Sequence, residues 1–138
     1  MSDPAWKRAW NALAPSLPTA GLVALEAALV ADDERLIQGG TQSPPPMMGV
    51  LGWPVEAACP VAFCGWQDGA KTVMDVNLFF GRVCSDGDVR LGEQAGVGHF
   101  LRWWDDTPRP EAIALLLPVV RATLAGRLTQ AEPCKGES

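Results

Sequence analysis

Residues 72–91, TVMDVNLFFGRVCSDGDVRL, decide the fold class. As a helix, Val73, Val76, Phe80 and Val83 line one side while Lys71, Asp75 and Arg82 line the other, a 3.6-residue period. As strands, Met74, Val76, Leu78 and Phe80 alternate with Asp75, Asn77 and Phe79. Asp86-Gly87 would then turn a hairpin between Arg82-Val83-Cys84 and Val89-Arg90-Leu91. The segments on both sides read as helices, and a lone two-stranded hairpin is marginally stable in water. The helix is therefore preferred, and with it a mainly α, compact single-domain bundle of roughly four to six helices. The alternative is an α+β fold with a small hairpin at 72–91.

Working toward the N-terminus, Pro54 is in position to open a helix carrying Val55, Ala58 or Cys59, Ala62 and Trp66 on one face, with Pro60 as its objection. Before it, Gly39-Gly40 and Pro44-Pro45-Pro46 mark a loop, and the apolar run of Met47, Met48, Val50, Leu51 and Trp53 suggests a connection lying against the core. Thr19 offers a cap for a helix with Leu22, Leu25, Leu29 and Leu36 on one face. Asp3-Pro4 opens a shorter one with Trp6, Trp10 and Leu13. Toward the C-terminus, Glu93 to Trp104 reads as a helix with Val97, Leu101 and Trp104 inward. The last helix carries Ile113, Leu117, Val120, Leu124 and Leu128 at helical offsets, with Pro118 expected to bend it. The expected core comprises Trp10, Leu25, Leu29, Val76, Phe80, Leu101, Trp104, Leu117, Val120 and Leu124. Residues 1–128 form the expected domain, and the polar residues 129–138 an expected disordered tail.

The 138 residues are 48% hydrophobic and 20% charged, enough for one self-sufficient core. The net charge is −5, and the eleven Lys and Arg are scattered apart from Lys7-Arg8. No basic stripe is available to neutralise phosphates, so nucleic acid is not an expected partner. Pro15, Pro18 and Glu26 interrupt the faintly signal-like stretch after Lys7-Arg8. No run reaches eighteen uninterrupted apolar residues, so no membrane partner is expected. A cytoplasmic location with reduced thiols follows from these readings.

Chemistry concentrates at His99-Phe100-Leu101-Arg102-Trp103-Trp104-Asp105-Asp106-Thr107-Pro108-Arg109-Pro110, which holds the single histidine and two of the six tryptophans of a chain without tyrosine. Three thiols and an imidazole (Cys59, Cys64, Cys84 and His99) match the donor types of a Cys₃His zinc site. Their apolar neighbours and the lack of a two-residue knuckle fit small core cysteines better. His99 with Asp105 or Asp106 and a cysteine would supply a base, an orienting carboxylate and a nucleophile. The ordinary reading of the same residues is a helix-end histidine and helix caps. No nucleophile elbow, phosphate loop or dinucleotide fingerprint is present, and no cofactor is expected.

The leading functional expectation is a non-enzymatic module that binds a protein partner or a small apolar ligand. Its contact residues would be Met47, Met48, Trp53, Arg102, Trp103, Trp104 and Arg109, and homo-oligomerisation is compatible with it. The alternative is a small thiol- or metal-dependent enzyme built on His99.

Overall fold

Val73–Leu91 forms one 19-residue helix, α4, in the computed structural model, which describes residues 3–129 in full and residues 130–136 as backbone. Both ends explain why it outcompetes the hairpin. The Thr72 hydroxyl accepts from the Asp75 N–H at 3.2 Å, and Gly92, at φ 72°, closes the C-terminus by donating to the carbonyls of Asp88 and Val89. The Asp86-Gly87 pair that could have turned a hairpin lies inside the helix. Gly87 is buried there because a Cβ would press on Val97 and Leu13. Its small size serves the packing of the first helix on α4.

The fold is mainly α: the described chain is 65% helical, with six α-helices and a two-stranded sheet of two residues per strand. The helices are α1 (Ala5–Leu13), α2 (Thr19–Ala31), α3 (Pro60–Gln67), α4, α5 (Gly98–Asp106) and α6 (Arg109–Gly136). Strands β1 (Gln42–Ser43) and β2 (Ala57–Ala58) pair antiparallel. Of the expected tail, 129–138, residues 129–136 continue the backbone of α6, and 137–138 lie outside the described residues.

Several boundaries differ from the sequence expectation, each for a local reason. α1 begins after Pro4, which occupies the N-cap, so Asp3 lies outside the helix and caps nothing. α2 likewise begins after Pro18, leaving Thr19 as its first residue rather than its cap. It ends at Ala31 because Asp32 turns left-handed at φ 52°, so Leu36 leaves the helix and is buried through a bridge to Ala58. The third helix starts at Pro60, not Pro54. Proline is favoured at a first helical position, where the missing N–H would have had no partner, and the objection to an interior Pro60 vanishes. α5 starts at Gly98 rather than Glu93, since the Asp88 carboxylate draws the N–H groups of Ala95 and Val97 into a turn at 3.1 and 3.0 Å.

The core forms where α1 packs on α4 and α5, α2 packs on α3 and α6, and α3 packs on α4. Trp10, Phe63, Phe100 and Trp104 are its largest fully buried side chains. Of the expected core, Trp10, Leu25, Leu29, Val76, Trp104 and Val120 are buried, whereas Phe80, Leu101, Leu117 and Leu124 are half-buried against it. The inward row of α6 is Ala112, Leu116 and Val120, four residues apart. Leu128, expected inward, is 70% exposed. The Trp10 indole donates to the Thr123 hydroxyl at 3.1 Å and so ties α1 to α6.

At the α2–α3 crossing, a Cβ on Gly21 would run into the backbone carbonyl of Cys64, whereas Gly81, exposed in α4, has open space around it. Gly21→Ala should therefore force backbone apart and cost about 1–3 kcal/mol. Gly81→Ala should gain about 0.5–1 kcal/mol by removing glycine's excess entropy. Thermal melts followed by circular dichroism check both signs; equal shifts would contradict the close crossing.

Candidate functional site

The α5–α6 corner holds most of the sequence-predicted site residues, and its polar groups point at the segment following α2. That segment, residues 32–39, touches a regular element only where it bridges to Ala58 of β2, which serves the Arg35 carbonyl, so side chains serve most of its other carbonyls. The Arg109 guanidinium donates to Asp32 Oδ1 at 2.6 Å, the Leu36 carbonyl at 2.7 Å and the Asp33 carbonyl at 2.8 Å. The indole of buried Trp104 donates to the Ile37 carbonyl at 2.7 Å. In return, the Gln38 amide donates to the carbonyls of Trp104 and Thr107 at 2.6 and 2.7 Å, filling acceptors orphaned at the end of α5. The Asp105 carboxylate accepts from the Gly39 N–H at 2.8 Å. Asp33 is fixed separately: the Arg35 side chain grips its carboxylate at 2.8 Å and, with the Arg35 backbone N–H, holds it below the usual carboxylate range. That guanidinium lies over the rings of Trp66 and Phe63.

Trp103 stacks on Trp6 with ring centroids 3.9 Å apart and planes 8° from parallel, which fastens α5 to α1. Arg109, Trp103 and Trp104, three of the expected contact residues, are thus used inside the molecule. His99 opens α5 with its Nε2 3.1 Å from Glu93 and its Nδ1 3.3 Å from Arg102. Its side-chain partners are these two charged groups, while Asp105 is engaged by Gly39 and Asp106 is exposed. The geometry brings His99 to a carboxylate, but that carboxylate is Glu93.

The cysteines lie elsewhere. Cys59 occupies the position before α3 without a side-chain capping bond and Cys64 lies within the helix, both buried; Cys84 is half-buried in α4. Among the described residues, no three His, Cys, Asp or Glu side chains are grouped to hold a metal ion. Burial pushes the Cys59 thiol up to about 11 and the Cys84 thiol to about 12, and pushes Cys64 up as well. Such thiols are protonated and poor nucleophiles at neutral pH.

The Met47–Trp53 connection holds on to a different element. Its turns close through Val50 N–H to the Met47 carbonyl (3.1 Å) and Trp53 N–H to the Val50 carbonyl (2.9 Å). Its far end is bonded to the start of α4, where the Val73 and Met74 N–H groups donate to Trp53 and Leu51 at 2.8 and 2.9 Å. These α4 amides, orphaned at a helix N-terminus, pin the loop. Met48 is 94% exposed, Trp53 is 56% exposed and Met47 is exposed. The expected burial of this apolar run is met only in part: Leu51 packs on the core while Met47, Met48 and Trp53 do not. Sequence reasoning missed Met74 and Leu78, exposed one turn apart at the start of α4. Strand-like alternation in 74–80 hid them; a helical wheel centred on Val73 and Val76 places them outward.

Two outcomes follow. Arg109→Met should cost about 1–3 kcal/mol by leaving the part-buried Leu36 carbonyl unpaired, and Arg109→Lys should recover less than half of that, since an ammonium cannot fork to three acceptors. Urea denaturation resolves the two. The raised thiols give a second test. Folded Cys59, Cys64 and Cys84 keep protons that the unfolded chain releases near its ordinary value of 9.0. Their stabilisation is fully present below that pH and is lost as pH rises toward 11 and 12. With no tyrosine in the chain, the urea midpoint should fall between pH 8 and 10.5; a flat profile would contradict the buried thiols. No protein-family model, curated protein or solved structure matches this chain, so the residues themselves carry the functional reading.

Proposed function

We propose that this chain is a non-enzymatic interaction module that docks a protein partner through the Met47–Trp53 connection and the neighbouring first turns of α4. One observation carries the reading: Met47, Met48 and Trp53 stand exposed on a backbone bonded to itself and to α4. Large apolar side chains held on an ordered backbone lose little conformational freedom on binding, so more of their burial energy becomes affinity. Methionine adapts to irregular surfaces, and tryptophan contributes a large anchor area. Met74 and Leu78 extend the same chemistry along α4.

The thiol-enzyme alternative finds less support. His99 is engaged with Glu93 and Arg102, and the three described thiols are withdrawn from solvent with raised pKa values. The partner called for is a protein with an apolar groove or helix face, not a polyphosphate, since the net charge of −5 opposes anionic ligands.

The test is affinity capture on immobilised full chain, comparing wild type with Met48→Asp/Trp53→Ala. Loss of an anchor tryptophan commonly costs 2 kcal/mol or more, about 30-fold in affinity. A partner retained by wild type and depleted at least tenfold by the variant, with matching melting temperatures, would support the proposal. Identical retention by both would overturn it.

A further inference from the structure

Helices α2 and α6 are apolar around most of their circumference, a pattern that calls for cover on more than one side. Within Thr19–Ala31 the single charged residue is Glu26, and Ala112 to Val120 in α6 contains none. Each helix turns one row inward: Leu22, Leu25 and Leu29 from α2, and Ala112, Leu116 and Val120 from α6. The opposite rows lie open. Val23 is exposed, Val30 is 61% exposed, and only 17% of the most apolar 18-residue stretch within Arg109–Thr129 is buried. By length and composition that stretch could cross a membrane.

The two helices run antiparallel, joined in order by Arg127 to Thr19 at 2.9 Å, Arg121 to Glu26 at 2.9 Å and Arg109 to Asp32 at 2.6 Å. Beside these links lies a groove of about 590 Å³, its apolar walls formed by Val23, Leu124, Ala125 and Leu128. We propose that this α2–α6 face receives a second copy of the chain, whose own α2 and α6 complete a four-helix layer around a two-fold axis.

Size, symmetry and charge favour that occupant. A face two helices wide, about 27 Å along α6 and about 20 Å across, projects to about 500 Å². With side-chain relief, two such faces would bury about 1,200–1,600 Å², the range of a stable specific interface. An antiparallel pair is suited to meeting itself across a two-fold axis, because each α2 then faces the other copy's α6. Glu26 and Arg121 neutralise one another within the chain, and Arg127 is turned onto the Thr19 hydroxyl and the Ala14 carbonyl, so on a chain of net charge −5 this face carries one uncompensated positive charge and no net negative one. An anionic lipid surface would be opposed by that net charge.

Sedimentation velocity and light scattering on the full chain test the proposal. Wild type should run at about twice its 14.7 kDa mass at micromolar concentration, with Val23→Glu/Leu128→Glu at least 100-fold weaker in self-association and unchanged in helical circular dichroism. Val30→Lys, on the same α2 face, should weaken the dimer too and serves if the double variant loses helicity. A wild type that stays monomeric throughout, a dimer that survives both variants, or a monomer that instead co-sediments with phosphatidylcholine vesicles would each overturn it.

Discussion

Arg109 is the constraint on which the rest of this fold depends. The chain leaves α2 through a left-handed Asp32 and travels to β1 with only the bridge to Ala58 to absorb part of its backbone polarity. An unpaired buried carbonyl costs more than a paired one returns, so the acceptors this stretch leaves open call for donors from outside. Arg109 supplies a planar fork for three acceptors and Trp104 supplies one more, from the two sides of the α5–α6 turn. The same contact ties the start of α6 to the end of α2, one of three points along the pair where an arginine of α6 reaches α2 or the residue after it. Fixing the path of 32–39 also buries Leu36 and delivers β1 to β2.

Most of the architecture was legible in the sequence because helical periodicity is a local signal. In the 72–91 stretch the helical and strand periods competed, and the helical neighbours decided for the helix; the threonine cap and the glycine stop that secure it in the structure went unread. What stayed hidden depended on partners distant in sequence. Leu36 has the right spacing to continue α2, and nothing local announces that Asp32 will turn left-handed. Pro60 was read as an obstacle inside a helix when it is the first residue of one; its tolerance depends on the bonds that carry Val55 and Ala58 away as extended chain. In α6 the spacing of Ile113, Leu117 and Leu124 is sound, but a helix apolar on several sides has more than one candidate stripe. The row that is buried is Ala112, Leu116 and Val120.

The candidate site was legible as a location more than as a role. The corner from His99 to Pro110 is rich in aromatic and charged groups because it joins α1, α2 and α6 at one place. Trp103 serves by area, stacked on Trp6, and Trp104 by area and by its indole donor. These are the properties that make tryptophan common at binding sites. Composition cannot separate the two uses; the supply of unpaired acceptors nearby can, and here the unpaired carbonyls of 32–39 are inside the same molecule.

That distinction also explains where surface remains for partners. Residues whose donors and rings are consumed internally have little left to offer another molecule, which removes the polar corner and leaves the places where apolar groups are exposed on a backbone already satisfied. The Met47–Trp53 connection meets that condition because the first amides of α4 bond it, and the α2–α6 face meets it because each backbone is a helix closed on itself. Binding at either would bury apolar area without stranding a polar group, the circumstance in which burial is most nearly converted to affinity. The two lie on different helices, so occupation of one need not remodel the other. A chain of this construction can pair with itself through α2 and α6 while presenting its methionine and tryptophan loop to something else.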